Sequence, residues 1–290
     1  MRVLVTGSNS PLGRSIVINL LETFIDCRIV ALSRSDNDIK HPHVTNLIFD
    51  LCKNEFKVEQ KFDLVVHTAA LVPKTAKSDE EILDVNLHRS LELFKNIKFN
   101  KDSLIYNIST SSVYDDPFEE ILLETSRKTA TDIYGLSKLR FELALEELYK
   151  DSHVNLLNVR LPVLLVKGVK NNFISGWLDC IQAKRPMSLF NPESLFNACV
   201  HSEDIFKFLC TYLERPIKKT LTCNLSSKAP LSIKETAKIL NEELNTQFNY
   251  IEEQASRPSQ LISNDLASIH GFEPRSVEDA IRNFGTDSNF

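Results

Sequence analysis

Through the first half of the chain, short apolar runs alternate with segments whose apolar residues recur at helical spacing. The runs are Val3-Leu4-Val5, Arg28-Ile29-Val30-Ala31-Leu32, Leu47-Ile48-Phe49, Leu64-Val65-Val66, Leu104-Ile105-Tyr106-Asn107-Ile108 and Leu156-Leu157-Asn158-Val159. Their lack of apolar–polar alternation is what strands covered on both faces require. Between them, residues 12–24, 79–95 and 134–149 read as helices. Strand following helix in this way predicts an α/β fold with a parallel, doubly wound sheet. After Gly168 the rhythm changes. Residues 171–183, 201–213, 231–244 and 277–284 read as helices, with Ser202 as a cap, Asp204 in that helix's first turn and Ser232 near the start of the next. Residues 220–225 and 248–251 read as strands, and 186–192 as a loop with a short extended piece. No repeat or low-complexity linker separates the two parts, so the second is expected to pack onto the first.

Composition narrows the function classes slightly. The chain of 290 residues is 42% hydrophobic and 25% charged, as ordinary globular proteins are. Its 34 basic against 39 acidic residues give a net charge of −5, and no basic block points to nucleic acid. No apolar stretch approaches the roughly 18 residues that cross a bilayer. The six cysteines are scattered without a CxxC pair, which fits reduced thiols and a cytoplasmic location. His41-Pro42-His43 lacks a third metal ligand and reads as a polar loop, so no metal is expected.

Candidate chemistry begins at Thr6-Gly7-Ser8-Asn9-Ser10-Pro11-Leu12-Gly13. Gly7 suits a tight turn at the end of the first strand. Ser10 and Pro11 read as helix N-cap and first helical residue, leaving the Leu12 and Gly13 amides to face a phosphate. Gly13 would let the helix approach the sheet. Ser10 stands where dinucleotide-binding loops carry their middle glycine; its hydroxyl either donates to the phosphate or caps the helix. Taken alone, the loop also fits a turn that binds nothing.

Tyr134 and Lys138 stand four apart on one helical face. A phenol is a poor base at neutral pH unless a nearby cation stabilises its anion, and a lysine one turn away supplies one. Upstream, Ser109-Thr110-Ser111-Ser112-Val113-Tyr114 follows a strand directly, at the sheet edge where open α/β folds bind ligands. His67-Thr68-Ala69-Ala70 ends another strand with small residues, and Asn86 falls in the helix after it.

These motifs, with Asn158-Val159-Arg160-Leu161-Pro162 and Val200-His201-Ser202-Glu203-Asp204, resemble in order and spacing the extended short-chain dehydrogenases/reductases, the NAD-dependent epimerase/dehydratase group that modifies nucleotide sugars. The resemblance implies a Rossmann-type dinucleotide-binding domain over 1–168, to which later segments return, and a smaller C-terminal α/β substrate-binding part over 169–290. It also implies a pyrophosphate-binding role for the opening loop. In the family's pattern Tyr134 is the acid/base, and Lys138 binds the nicotinamide ribose and lowers the Tyr134 pKa. Thr110 bonds the reacting oxygen, with Ser111 as the fallback, and Asn86 supports a water-mediated proton path. Thr68, Ala69 and Ala70 lie along the cofactor, Asp50 and Leu51 flank the adenine, and Pro162 lies by the nicotinamide. Helices 79–95 and 134–149 would form a homodimer interface.

The second strand ends Ala31-Leu32-Ser33-Arg34-Ser35 without the acid that bonds a ribose in NAD-preferring sites. Arg34, joined by Arg14, would pair with a 2′-phosphate, which favours NADP over NAD; otherwise Asp36 or Asp38 reaches the ribose. Thr110 is followed by Ser111-Ser112 and not by an acidic pair, which disfavours dehydration. Asn197 stands where many relatives carry an arginine, which weakens the case for a diphosphate sugar. The expected function is therefore that of an NAD(P)-dependent sugar 4-epimerase or 4-keto reductase with a small-molecule substrate, expected to be a nucleotide sugar. The alternative is a catalytically silent NADP-binding regulator or scaffold.

Overall fold

Arg2–Thr6 forms strand β1, whose residues after Arg2 are all buried, because a helix layer must cover each face of so apolar a run. The computed structural model describes residues 1–37, 39–114, 119–170, 172–215, 219–255 and 260–288. Asp38, and Asn171 at the start of the helix expected over 171–183, lie outside the described residues. The chain divides into two compact units that are not consecutive stretches. One comprises Met1–Asp115, Arg127–Arg160 and Leu209–Cys223; the other comprises Asp116–Ser126, Leu161–Phe208 and Asn224–Phe290.

In the first unit, β1 is followed by α1 (Pro11–Thr23), β2 (Arg28–Ser33), β3 (Val44–Ile48) and β4 (Lys61–His67). Then come α2 (Asp79–Leu83), a π-helical segment (Asp84–Arg89), α3 (Ser90–Asn96), β5 (Lys98–Thr110), a 3₁₀ turn (Ser111–Val113) and α4 (Ile133–Tyr149). The central sheet has seven strands, in the order Thr220–Asn224, Asn155–Leu161, β5, β4, β1, β2, β3. Strand β1 pairs in parallel with both β2 and β4, so the order of connection reverses beside it. Such a reversal opens a crevice at the carboxyl ends of the strands. Leu4, Val30, Leu32, Val65, Ile105 and Leu156 of the sheet meet Leu93, Phe94, Phe141 and Leu145 of α3 and α4 in one buried cluster.

The single helix expected over 79–95 is three segments. In the π segment Asn86 is buried and bonded to the loop after β4, and the Ser90 hydroxyl donates to the Val85 carbonyl at 2.9 Å. Widened turns of this kind are frequent at functional sites.

The second unit pairs Val163–Leu165 with Cys199–His201 and Met187–Phe190 with Tyr250–Glu253, both in parallel. Leu195–Phe196 and Leu231–Ser232 pair antiparallel, and Ile121–Leu122 pairs with Leu261–Ile262 in parallel. Helices Phe173–Gln182, Ile233–Glu243 and Val277–Ser288 pack Ile174, Trp177, Leu240, Ile281 and Phe284 around Leu189 and Phe196. Ser232 caps its helix in a reciprocal box with Glu235. Most of these pairings went unread, because two or three residues are too few to display a strand's period.

Candidate active site

The glycine loop is tied down from several sides. Gly7 takes φ +68°, and a Cβ there would lie 2.8 Å from both the Ala69 amide nitrogen and Thr68 Oγ1. A Cβ on Gly13 would come within 2.3 Å of the Gly7 carbonyl oxygen. Both glycines are therefore required by close approach, whatever the loop binds. Thr68 Oγ1 donates to the Thr6 carbonyl at 2.7 Å and lies 3.2 Å from Ser10 Oγ. The Asn9 side-chain amide donates to the Ser35 and Asp36 carbonyls at 3.1 and 2.8 Å, joining the loop to the chain after β2.

Of the two roles open to Ser10, capping is the one present: its Oγ accepts from the Gly13 N–H at 3.0 Å, with Pro11 in the first helical position. This corrects the expectation that the Gly13 amide is left for a phosphate, because the cap already uses it. Leu12 stays at the helix's positive end.

At the carboxyl end of β5, Thr110 is buried, and its Oγ1 accepts from the Ser112 N–H at 3.1 Å, capping the 3₁₀ turn. Helix α4 starts beside that turn. Asp132 caps it, its carboxylate accepting from the Gly135 N–H at 2.7 Å. A Cβ on Gly135 would stand 2.1 Å from the Ser112 carbonyl oxygen, so helix and hydroxyl-bearing turn are in backbone contact. Tyr134 and Lys138 follow on one face of α4. Ser137 Oγ donates to the Tyr134 carbonyl at 2.7 Å and accepts from the Asn86 side-chain amide at 3.1 Å. Asn86 also donates to the Leu71 carbonyl at 2.9 Å and accepts from the Leu71 N–H at 2.7 Å. Asn86 is thus a latch binding the loop after β4 to α4.

Burial dominates the electrostatics. It pushes the Tyr134 phenol up to about 12, with the Asp132 carboxylate adding to the effect. Burial also pushes the Lys138 ammonium down to about 8, opposed by the Glu142 carboxylate. In the free protein desolvation of the phenolate sets the direction for Tyr134, and the expected lowering by Lys138 does not appear. At neutral pH the phenol therefore holds its proton and the lysine is charged. Lys138 is only 2% exposed, and among the described residues its ammonium has no hydrogen-bond partner. A cation on a buried side chain, its hydrogen bonds unused among the described residues, fits a site made for a hydroxyl-bearing ligand. His67, at the end of β4, is kept neutral by burial and by Lys138 and bonds the Thr6 hydroxyl through Nδ1 at 2.8 Å.

The other expected residues are more scattered. Arg34 is exposed just past the end of β2, near enough to Asp50 to help hold that carboxyl low. The chief cause there is the Cys52 N–H, which donates to Asp50 at 3.0 Å, and Leu51 follows on the same turn. Ala69 lies beside Gly7, its N–H donating to Thr6 Oγ1 at 3.3 Å, and Ala70 follows. Pro162 belongs to the second unit. So does Asn197, whose amide donates to the Ser227 and Ile262 carbonyls at 3.2 and 2.8 Å while its Oδ1 accepts from the Ile262 N–H at 2.9 Å. It serves as a buried backbone clamp, all its bonding taken up internally. His41 and His43 are joined by a backbone bond to the His41 ring, and among the described residues no group of three metal-ligating side chains gathers. Nor is any described helix long and apolar enough to cross a membrane.

The sequence assigns no role to Ser109, Glu142 or Arg160, which the fold brings together. Arg160 Nε and Nη2 donate to the two Glu142 carboxylate oxygens at 3.1 and 2.6 Å, and Ser109 Oγ donates to the same carboxylate. A charge in so apolar a strand was the available signal, since buried charges need partners.

A family profile described as the NAD dependent epimerase/dehydratase family matches residues 3–224. ADP-L-glycero-D-manno-heptose-6-epimerase of Brachyspira hyodysenteriae is 24% identical over 261 residues, or 83% of this chain and 80% of that protein. UDP-glucuronic acid 4-epimerase from Bacillus cereus, solved in complex with NAD, superposes with a TM-score of 0.82 at 18% identity, covering 99% of this chain and 96% of the other. UDP-N-acetylglucosamine 4-epimerase from Methanobrevibacter ruminantium M1, solved with UDP-N-acetylmuramic acid, gives 0.82 at 19% identity, covering 98% and 97%.

Proposed function

Because this chain belongs to the NAD dependent epimerase/dehydratase family, enzymes of the extended short-chain dehydrogenase type, we propose that it oxidises or reduces a sugar carbon with a bound nicotinamide dinucleotide, acting on a nucleotide-linked sugar as a 4-epimerase or 4-keto reductase. The observation that carries the proposal is Lys138, a buried residue whose ammonium has no hydrogen-bond partner among the described residues, one turn from Tyr134 on a helix in backbone contact with the turn that follows Thr110. Nucleotide sugar as the substrate class is supported by the ligands of the solved relatives, with UDP-glucuronic acid among them.

In this reading the glycine loop and the start of α1 hold the pyrophosphate, and Lys138 holds the nicotinamide ribose. When bound, the dinucleotide supplies hydride donation or acceptance. Tyr134 gives its proton to the substrate oxygen during reduction and takes it back during oxidation. Thr110, whose Oγ1 already accepts from Ser112, keeps its own O–H to donate to the same oxygen. The Lys138 ammonium stabilises the phenolate that reduction leaves behind.

The finer choice of cofactor rests on Arg34. It lies past the end of β2, where its guanidinium would meet a 2′-phosphate, and this favours NADP. NAD is the dinucleotide named with the solved relatives. Identification of the dinucleotide that copurifies with the protein, followed by incubation with UDP-sugars, tests the assignment. An epimerase would retain the oxidised form and interconvert 4-epimers with no dinucleotide added. A reductase would consume added NADPH against a UDP-4-ketosugar. A protein that binds no dinucleotide and transforms no UDP-sugar contradicts the proposal.

A further inference from the structure

Two charges lie buried behind the proposed site, and the chemistry above uses neither. Arg160 is 3% exposed and Glu142 is 1% exposed. Their forked contact is accompanied by a bond from Arg160 Nη1 to the Tyr114 hydroxyl at 2.9 Å, with the guanidinium carbon 5.2 Å from that ring's centre. A buried ion pair is seldom more stable than well-packed apolar side chains of similar volume. Stability is thus a poor reason for this one, and its attachments offer another. Glu142 lies four residues past Lys138 and eight past Tyr134 on α4, so the three share a face. Ser109, bonded to Glu142, immediately precedes Thr110; Tyr114, bonded to Arg160, follows the 3₁₀ turn. The pair therefore grips the Thr110 segment on both sides and fastens it to the helix of Tyr134 and Lys138.

We propose that Glu142 and Arg160 are positioning residues: together they lock the Thr110 segment onto the helix of Tyr134 and Lys138, and the Glu142 carboxylate, one turn along the same face, supports the Lys138 side chain as the ribose-binding group. The proposal rests on the reading of Lys138 as the ribose-binding group. Among the described residues, Glu142 from its own helix and His67 from β4 interact electrostatically with that ammonium, and Tyr134, protonated at neutral pH, shares its helical face. His67 is neutral, so Glu142 is the group that opposes the effect of burial. Removing the Glu142 charge lowers the Lys138 pKa from about 8, and removing Arg160 raises it by freeing that charge.

Fluorescence titration with NADH and NADPH between pH 6 and 9.5 separates these effects from a purely structural role. Wild-type affinity should fall as pH rises through about 8, where the ammonium is lost. For Glu142→Gln the fall should come earlier, giving about tenfold weaker binding at pH 8 with little change at pH 6. For Arg160→Met it should come later. Two variants that move the fall in the same direction, or leave it in place, overturn the proposal. Single changes leave a buried partner unpaired and are expected to lower stability. The double variant Glu142→Leu/Arg160→Met leaves no unpaired charge and, lacking Glu142, should also show the early fall; a wild-type profile in it overturns the proposal. Wild-type protein that binds neither dinucleotide removes the reading of Lys138 itself, and that result is distinct from a bound cofactor with an unmoved profile.

Discussion

Replacing Tyr134 with Phe is expected to lower turnover by about 10²–10⁴-fold, the usual worth of a positioned proton donor, while dinucleotide affinity stays within about twofold. The substitution leaves the ring and takes only the hydroxyl. Burial pushes that phenol up to about 12, so it is protonated throughout the neutral range and ready to donate to a substrate oxygen. Lys138, pushed down to about 8 by burial, remains charged at pH 7 and would still hold the ribose in the variant. The expected pattern is thus a loss in kcat with an unchanged Kd for NADH. It is checked by steady-state rates on a UDP-sugar turned over by the wild type, together with NADH fluorescence. Full turnover in the variant would remove Tyr134 from the mechanism.

Gly135→Ala should be nearly as damaging, for a reason that lies in the backbone. Alanine is ordinarily the better helix former by about 1 kcal/mol. Here the added Cβ would sit 2.1 Å from the Ser112 carbonyl oxygen and 2.7 Å from its carbon. Both are main-chain atoms, so α4 or the 3₁₀ turn must move. Overpacking of this kind costs about 1–3 kcal/mol. The movement separates Thr110 from Tyr134 and Lys138, and a displacement of about 1 Å can cost on the order of 10²-fold in rate. Gly176→Ala is the control, because a Cβ there meets nothing within 4 Å. Urea unfolding should show Gly135→Ala destabilised and Gly176→Ala unchanged or stabilised, with only the first losing activity. Equal stability and activity in both would show that the contact between α4 and Ser112 is dispensable.

Much of the first unit was legible because each of its elements carries its own signal. The apolar runs of β1, β2, β4 and β5 gave the sheet, and Ser10-Pro11 marked the start of α1. The Tyr134–Lys138 pair could be placed on one helical face from spacing alone. What escaped the sequence depends on groups distant along the chain. Glu142 and Arg160 are eighteen residues apart and meet only through tertiary packing. The bond between Ser10 and the Gly13 amide decided between two roles that residue type had left open. The break of the 79–95 helix at Asn86 involves partners at Leu71 and Ser137, neither of them in that helix. The rise of the Tyr134 phenol in the free protein comes from desolvation, which spacing along the chain does not show.

A crystal of the protein grown with NADPH or NADH tests the central claim most directly. The account predicts the nicotinamide ribose within hydrogen-bond distance, about 3 Å, of Lys138 Nζ, with the Tyr134 hydroxyl facing the ring. A bound dinucleotide that leaves Lys138 without a bond, or turns its ring away from Tyr134, would contradict it.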